Sequence, residues 1–263
     1  MELGLRGKVA FVAAANKGLG FAIAEELARE GADLVINARG EEALGKAAHS
    51  ISKASGREVL ALVGDVSNPE SVEELTRAAI ARFGRIDILV TNAGGPPSGK
   101  FESLTPEMWV RATELTLLSV VNLARAVLPE MKERGFGRII NVTSIAVKQP
   151  VSGLMLSNSL RAGVTGFART LANETAESGI TVNNILPGYT RTERVEQLSE
   201  ATASREGISR EQAVARWEAE IPMRRLGEPR EFAALAAFLA SERASYITGQ
   251  SIAVDGGWIK SLL

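Results

Sequence analysis

The stretch Lys8-Val-Ala-Phe-Val-Ala13-Ala14-Ala-Asn16-Lys17-Gly18-Leu19-Gly20-Phe-Ala-Ile-Ala-Glu-Glu-Leu27 decides the fold. Residues 8–13 form a short, continuous apolar run, which predicts a buried strand. Residues 19–30 carry apolar side chains at helical spacing. The turn between them holds glycines where a strand feeds a helix. Such glycines let the backbone approach a pyrophosphate, and the helix N-terminus attracts it. Asn16, Lys17, Gly18, Leu19 and Gly20 are therefore candidate phosphate contacts. A plain glycine-containing turn is the competing reading.

Outward from this unit the same alternation repeats. Strands are predicted over 33–37, 58–63, 86–91, 138–143 and 181–186. Helices are predicted over 41–55, 69–83, 106–134 and 152–178. The strands are unbroken apolar runs, as expected of parallel strands covered on both faces. The predicted fold is therefore α/β: one Rossmann-type domain over 1–263, with a doubly wound parallel sheet, helices on both faces, and ligand at the carboxyl ends of the strands. After Pro187 the pattern changes. Residues 191–220 are charged and helical, and could be a lid or a disordered tract. The spacing of Val195, Leu198, Ile208, Val214, Trp217 and Ile221 favours helices with one apolar face, so a helical lid is expected over about 190–222. A last helix over 228–241 and a strand over 251–254 follow.

Composition narrows the function. The chain has 263 residues and 45% apolar content, enough for a full core. With 30 basic and 31 acidic residues the net charge is −1, which gives no electrostatic footprint for nucleic acid or an anionic membrane. The absence of cysteine excludes disulfides and thiolate chemistry. The single histidine, His49, excludes a multi-histidine metal site and is expected to be exposed. No metal is expected. The opening residues lack a signal-peptide apolar core, and no apolar run approaches membrane-spanning length. The expectation is a cytoplasmic protein acting on a small molecule.

Five short motifs together resemble the short-chain dehydrogenase/reductase family along nearly the whole chain. Family members carry Thr-Gly-x-x-x-Gly-x-Gly at the phosphate loop. Here Gly18 and Gly20 match its later glycines, while Ala13-Ala14 replaces Thr-Gly. Alanine tolerates positive φ poorly, so this turn must differ or be strained. Thr91-Asn92-Ala93-Gly94 is similar to the motif ending the fourth strand. Asp65-Val66 resembles the adenine-contacting pair, Pro187-Gly188 the nicotinamide-side turn, and Thr248 through Gly257 the C-terminal signature. Many bacterial members of this kind are 3-oxoacyl-(acyl carrier protein) reductase-like. The resemblance implies a nicotinamide cofactor and a homotetramer or homodimer built on the helices over 106–134 and 152–178. At the end of the second strand, an acidic residue would favour NAD(H). Ala38 and Arg39 stand there instead. With Lys17 nearby, they favour the 2′-phosphate of NADP(H) over NAD(H).

The family's chemistry uses an asparagine, a serine, a tyrosine and a lysine. The serine matches Ser144. Thirteen residues on, the tyrosine position holds Ser157, and the lysine position holds Arg161. The asparagine position holds Thr116. A serine hydroxyl is a far weaker acid than a phenol of pKa about 10. Arginine, with a pKa above roughly 12, keeps its proton, but it can supply positive charge and hydrogen bonds to the nicotinamide ribose, so Arg161 is a candidate cofactor contact as well as a catalytic one. Tyr189 is the best replacement acid by position, though it also suits packing under the lid. Lys148 stands in the loop expected to line the substrate pocket, where desolvation would lower its pKa. A water held by Ser144 and Ser157 is a third route. Three functions follow: an NADP(H)-dependent oxidoreductase whose proton donor has moved, a nucleotide-binding sensor or scaffold without catalysis, and, last, a non-redox lyase or dehalogenase.

Overall fold

The computed structural model describes residues 2–262. Its seven strands are β1 Val9–Val12, β2 Asp33–Ala38, β3 Val59–Val63, β4 Ile88–Thr91, β5 Gly137–Val142, β6 Ile180–Pro187 and β7 Ser251–Val254. They form one parallel sheet in the order β3-β2-β1-β4-β5-β6-β7. Helices α1 Gly18–Arg29, α2 Glu41–Ser55 and α9 Pro229–Ala240 cover one face, and their apolar side chains pack with those of the strands. Helices α3 Pro69–Phe83, α5 Ser119–Arg134 and α6 Met155–Thr175 cover the other. The doubly wound sheet expected from sequence is thus present. Its order reverses between β1 and β4, which opens a crevice at the strand ends.

Local chemistry sets several boundaries. Asn68 caps α3 by accepting from the Ser71 N–H at 3.0 Å, with Pro69 in the first turn. Thr105 caps α4 Pro106–Thr113 in the same way. One side-chain ladder crosses four strands. Thr91 donates to Asn141 at 2.8 Å, Asn141 to Asn184 at 3.0 Å, and Asn184 to Ser251 at 3.0 Å. Each rung sits between register partners, so a one-residue slip would leave buried amides unpaired.

Three expectations need correction, and one alternative left open is resolved. The helix over 152–178 begins only at Met155, because residues 153 and 154 are held by Gly99, whose N–H donates to the Gly153 carbonyl at 2.8 Å. The stretch over 106–134 is not uniform: a π turn, Glu114–Leu118, interrupts it. Against the sequence expectation, Pro106–Arg134 is also long and apolar enough to cross a membrane by length and composition. In this fold it packs on α3, β4 and β5 as part of one helical layer. The charged stretch is ordered helix, α7 Glu193–Glu206 and α8 Arg210–Glu220, rather than a disordered tract. Its apolar face joins Val195, Ile221, Val214 and Trp217 to Ile145, Leu186 and Trp258.

Candidate active site

A cleft of about 590 Å³ opens at the carboxyl ends of the strands. Its outer end is built by the β1–α1 turn, the end of β2, Asp65-Val66 and Asn92-Ala93-Gly94. Lys17 is the N-cap of α1 and makes no side-chain cap bond, so the first N–H groups of the helix stay open to a ligand. A helix end of this kind can attract an anion. Ala14 adopts φ +48°, so the turn keeps the left-handed geometry and accepts the strain of a Cβ. Asn92 donates its Nδ2 to the Ala14 carbonyl at 3.2 Å and ties β4 to this turn. Gly20 does not line the cleft. It packs beneath the loop, where an added Cβ would come within 2.3 Å of the Ala14 oxygen. The remaining candidates, Asn16, Lys17, Gly18, Leu19, Arg39, Asp65, Val66, Asn92, Ala93, Gly94, Pro187 and Gly188, all line it.

The inner end brings together Ser144, Ser157 and Arg161. Ser144 follows β5, and its Oγ accepts from the Ala146 N–H at 3.1 Å, which fixes the rotamer. Ser157 is buried in the first turns of α6. One turn on, Arg161 Nη1 donates to the Val142 carbonyl at 2.8 Å. Burial lowers the Arg161 pKa to about 10, with the neighbouring Arg194 cation acting in the same direction. At neutral pH the guanidinium therefore remains charged. Thr116 sits in the π turn, and its Oγ1 is buried with no hydrogen-bond partner among the described residues.

Two candidate proton donors fare poorly. Lys148 is exposed and does not line the cleft, because its backbone closes the short helical turn after Ser144 and turns the side chain outward. Tyr189 borders the cleft but stacks on Trp217, with ring centroids 4.6 Å apart, and meets Trp258 edge-on at 6.0 Å. Burial, and then the Glu220 carboxylate, push its pKa up to about 12, which makes it a weaker acid. His49 is exposed, as expected.

Helix α7 adds two residues that sequence did not single out, Glu193 and Arg194. Lys17 Nζ meets Glu193 Oε2 at 2.6 Å, and Arg39 lies 3.9 Å from Asp65. Arg194 reaches across the cleft and donates to the Pro96 carbonyl at 3.0 Å. It rests on Gly95, where a Cβ would come within 2.8 Å of Nη2 and the guanidinium would have to shift. Leu115, Val151, Leu154 and Val195 supply apolar wall.

A family model described as enoyl-(acyl carrier protein) reductase matches residues 13–259. The 3-oxoacyl-(acyl-carrier-protein) reductase FabG of Vibrio cholerae is 38% identical over 255 residues, covering 97% of this chain and 98% of that one. Dehydrogenase/reductase SDR family member 4 of Oryctolagus cuniculus is 37% identical over 96% of this chain and 94% of its own. The chain belongs to the short-chain dehydrogenase/reductase family. Among solved structures, L-sorbose reductase from Gluconobacter frateurii, in complex with NADPH and L-sorbose, superposes with a TM-score of 0.94 at 36% identity over 100% of both chains.

Proposed function

We propose that the protein is an NADP(H)-dependent oxidoreductase that interconverts a carbonyl and an alcohol, with Ser157 and Arg161 in place of the family's tyrosine and lysine. One observation carries this reading: Ser144, Ser157 and Arg161 share a wall of the cleft whose other end is the open N-terminus of α1. The glycine-bearing turn and that helix end fit a dinucleotide pyrophosphate. Ala38 is neutral, and the side chain of Arg39 is 77% exposed beside it, which suits a 2′-phosphate. The solved relatives in complex with NADPH point the same way.

The nicotinamide, when bound, supplies or accepts a hydride. The chain's residues do the rest. The Ser144 oxygen already accepts from Ala146, so its O–H is left to donate to a substrate oxygen. Arg161, anchored on Val142, places positive charge where an alkoxide develops. It keeps its proton at neutral pH, so the proton must pass through the Ser157 hydroxyl from water. A relay without a phenol is slow, because loss of a general acid commonly costs about 10²–10⁴ in rate. Assembly as a homotetramer or homodimer would cover Val110, Leu118 and Met155, which are exposed on α4, the π turn and α6.

The test is NADPH binding by calorimetry together with NADPH oxidation over a carbonyl panel. Binding with slow turnover is expected. Binding without turnover on any carbonyl favours a catalytically silent nucleotide-binding protein, a reading motivated by the serine and arginine at positions 157 and 161. Absence of binding removes both.

A further inference from the structure

The cations around the cleft divide into two kinds. Lys17 and Arg39, at the outer end, face Glu193 and Asp65. Those two acids are the carboxylates lining the cleft, and both are engaged. Arg161 and Arg194, at the inner end, bond only backbone carbonyls, of Val142 and Pro96. Among the described residues no carboxylate lies within 4.0 Å of either guanidinium. Each keeps most of its five N–H donors unused.

Two half-buried cations facing one cavity without an anion are an unbalanced arrangement. Burial depresses the pKa of both, and Arg194 further depresses Arg161. A buried charge left unpaired is costly, and an incoming anion would relieve both sites at once. The planar guanidinium fork matches a carboxylate with two parallel hydrogen bonds. Arg194 crosses from α7 to the loop after β4, where its guanidinium lies over Gly95 and donates to the Pro96 carbonyl. Leu115, Val151, Leu154 and Val195 add apolar wall to the same cleft. The pyrophosphate of a dinucleotide has a separate candidate place at the N-terminus of α1.

We propose that the inner cleft takes a carbonyl substrate bearing a carboxylate, held by Arg161 and Arg194, with an apolar tail against the aliphatic wall. This rests on the oxidoreductase reading for the carbonyl but not for the anion. The chemical class is an oxo acid, and Arg194 is its specificity-determining residue.

The test reads binding, not turnover. The protein saturated with NADP+, which has no hydride to give a carbonyl, is titrated calorimetrically with a series of short, branched and aromatic 2-, 3- and 4-oxo acids and their methyl esters. At least one acid is expected to bind at least about tenfold tighter than its ester, a difference of about 1.4 kcal/mol. In Arg194→Gln that preference should fall to about twofold or less, and Arg194→Lys should restore part of it. NADPH affinity should stay within about threefold in both variants. Equal binding of acids and esters, no binding of either, or a preference that survives Arg194→Gln overturns the proposal. So does a parallel loss of NADPH affinity, which would assign Arg194 to the cofactor's phosphates. A silent enzyme that still prefers acids defeats only the oxidoreductase reading, so the two failures are distinguishable.

Discussion

Lys17 Nζ lies 2.6 Å from Glu193 Oε2, so the phosphate loop and the first turn of the lid are tied across the mouth of the cleft. Both side chains are more than half exposed, which limits such a pair to about 0–1 kcal/mol. The tie is therefore a weak latch that a dinucleotide can displace. It also occupies the lysine that sequence alone assigns to a phosphate.

Glu193→Gln releases Lys17 for an incoming phosphate. NADPH should bind up to about fivefold tighter at low salt, matching a gain of at most about 1 kcal/mol. The gain should vanish near 0.5 M salt, where the Debye length shrinks to roughly 4 Å. Calorimetric titration at two salt concentrations checks it.

Ala14 at φ +48° is a strained position in the same loop. Ala14→Gly removes the strain but loosens the unfolded chain, so the net change should be a gain of at most about 1 kcal/mol. Ala14→Val adds branching at a left-handed position and should lose more than about 1 kcal/mol. Gly20→Ala drives a Cβ within 2.3 Å of the Ala14 oxygen and 2.7 Å of Asn92 Nδ2, so it should displace the loop and abolish detectable NADPH binding. Urea midpoints and calorimetry read these three variants.

Arg39 is the residue proposed to distinguish the two nicotinamide dinucleotides. Arg39→Ala removes a charge-assisted bond of about 1.5–3 kcal/mol, so the NADPH-over-NADH preference should fall roughly ten- to hundredfold. Ratios of the two dissociation constants check this, and an unchanged ratio places the 2′-phosphate elsewhere.

Much of the fold was legible because strands buried on both faces read as apolar runs, and because Asn68-Pro69 and Thr105-Pro106 announce helix starts chemically. The two helices over 193–220 were readable from the spacing of Val195, Val214 and Trp217, whereas Ile208 falls in the turn between them and joins no helical face. Their key residue was not. Arg194 stands in a charged run, where an arginine is ordinarily solvated, and only the fold brings Gly95 opposite it. The π turn at Glu114–Leu118 contains no glycine or proline, so nothing local marks it. Tyr189 was ambiguous from position alone, and packing on Trp217 and Trp258 resolves its environment. Lys148 failed because sequence distance from Ser144 says nothing of the direction in which a loop side chain points.

Tyr189 gives a pH prediction. Its folded pKa is raised from 10.0 to about 12, so the folded state holds its proton longer than the unfolded one. This contribution to stability is complete below the unfolded pKa and is lost as pH rises through about 12. In a Tyr246→Phe variant, where Tyr189 is the sole phenol, phenolate absorbance should appear near pH 12 while the fold persists. Ionisation near neutral pH would revive Tyr189 as a proton donor.

The central claim is that the cleft holds a hydride carrier without the usual phenolic acid. Single-turnover oxidation of bound NADPH, with a carbonyl that the protein demonstrably binds, compares the parent with Ser157→Tyr/Arg161→Lys. The account predicts a slow parent and a gain of about 10²–10⁴ in the double variant. A parent that turns over rapidly, with no gain from the two substitutions, contradicts it.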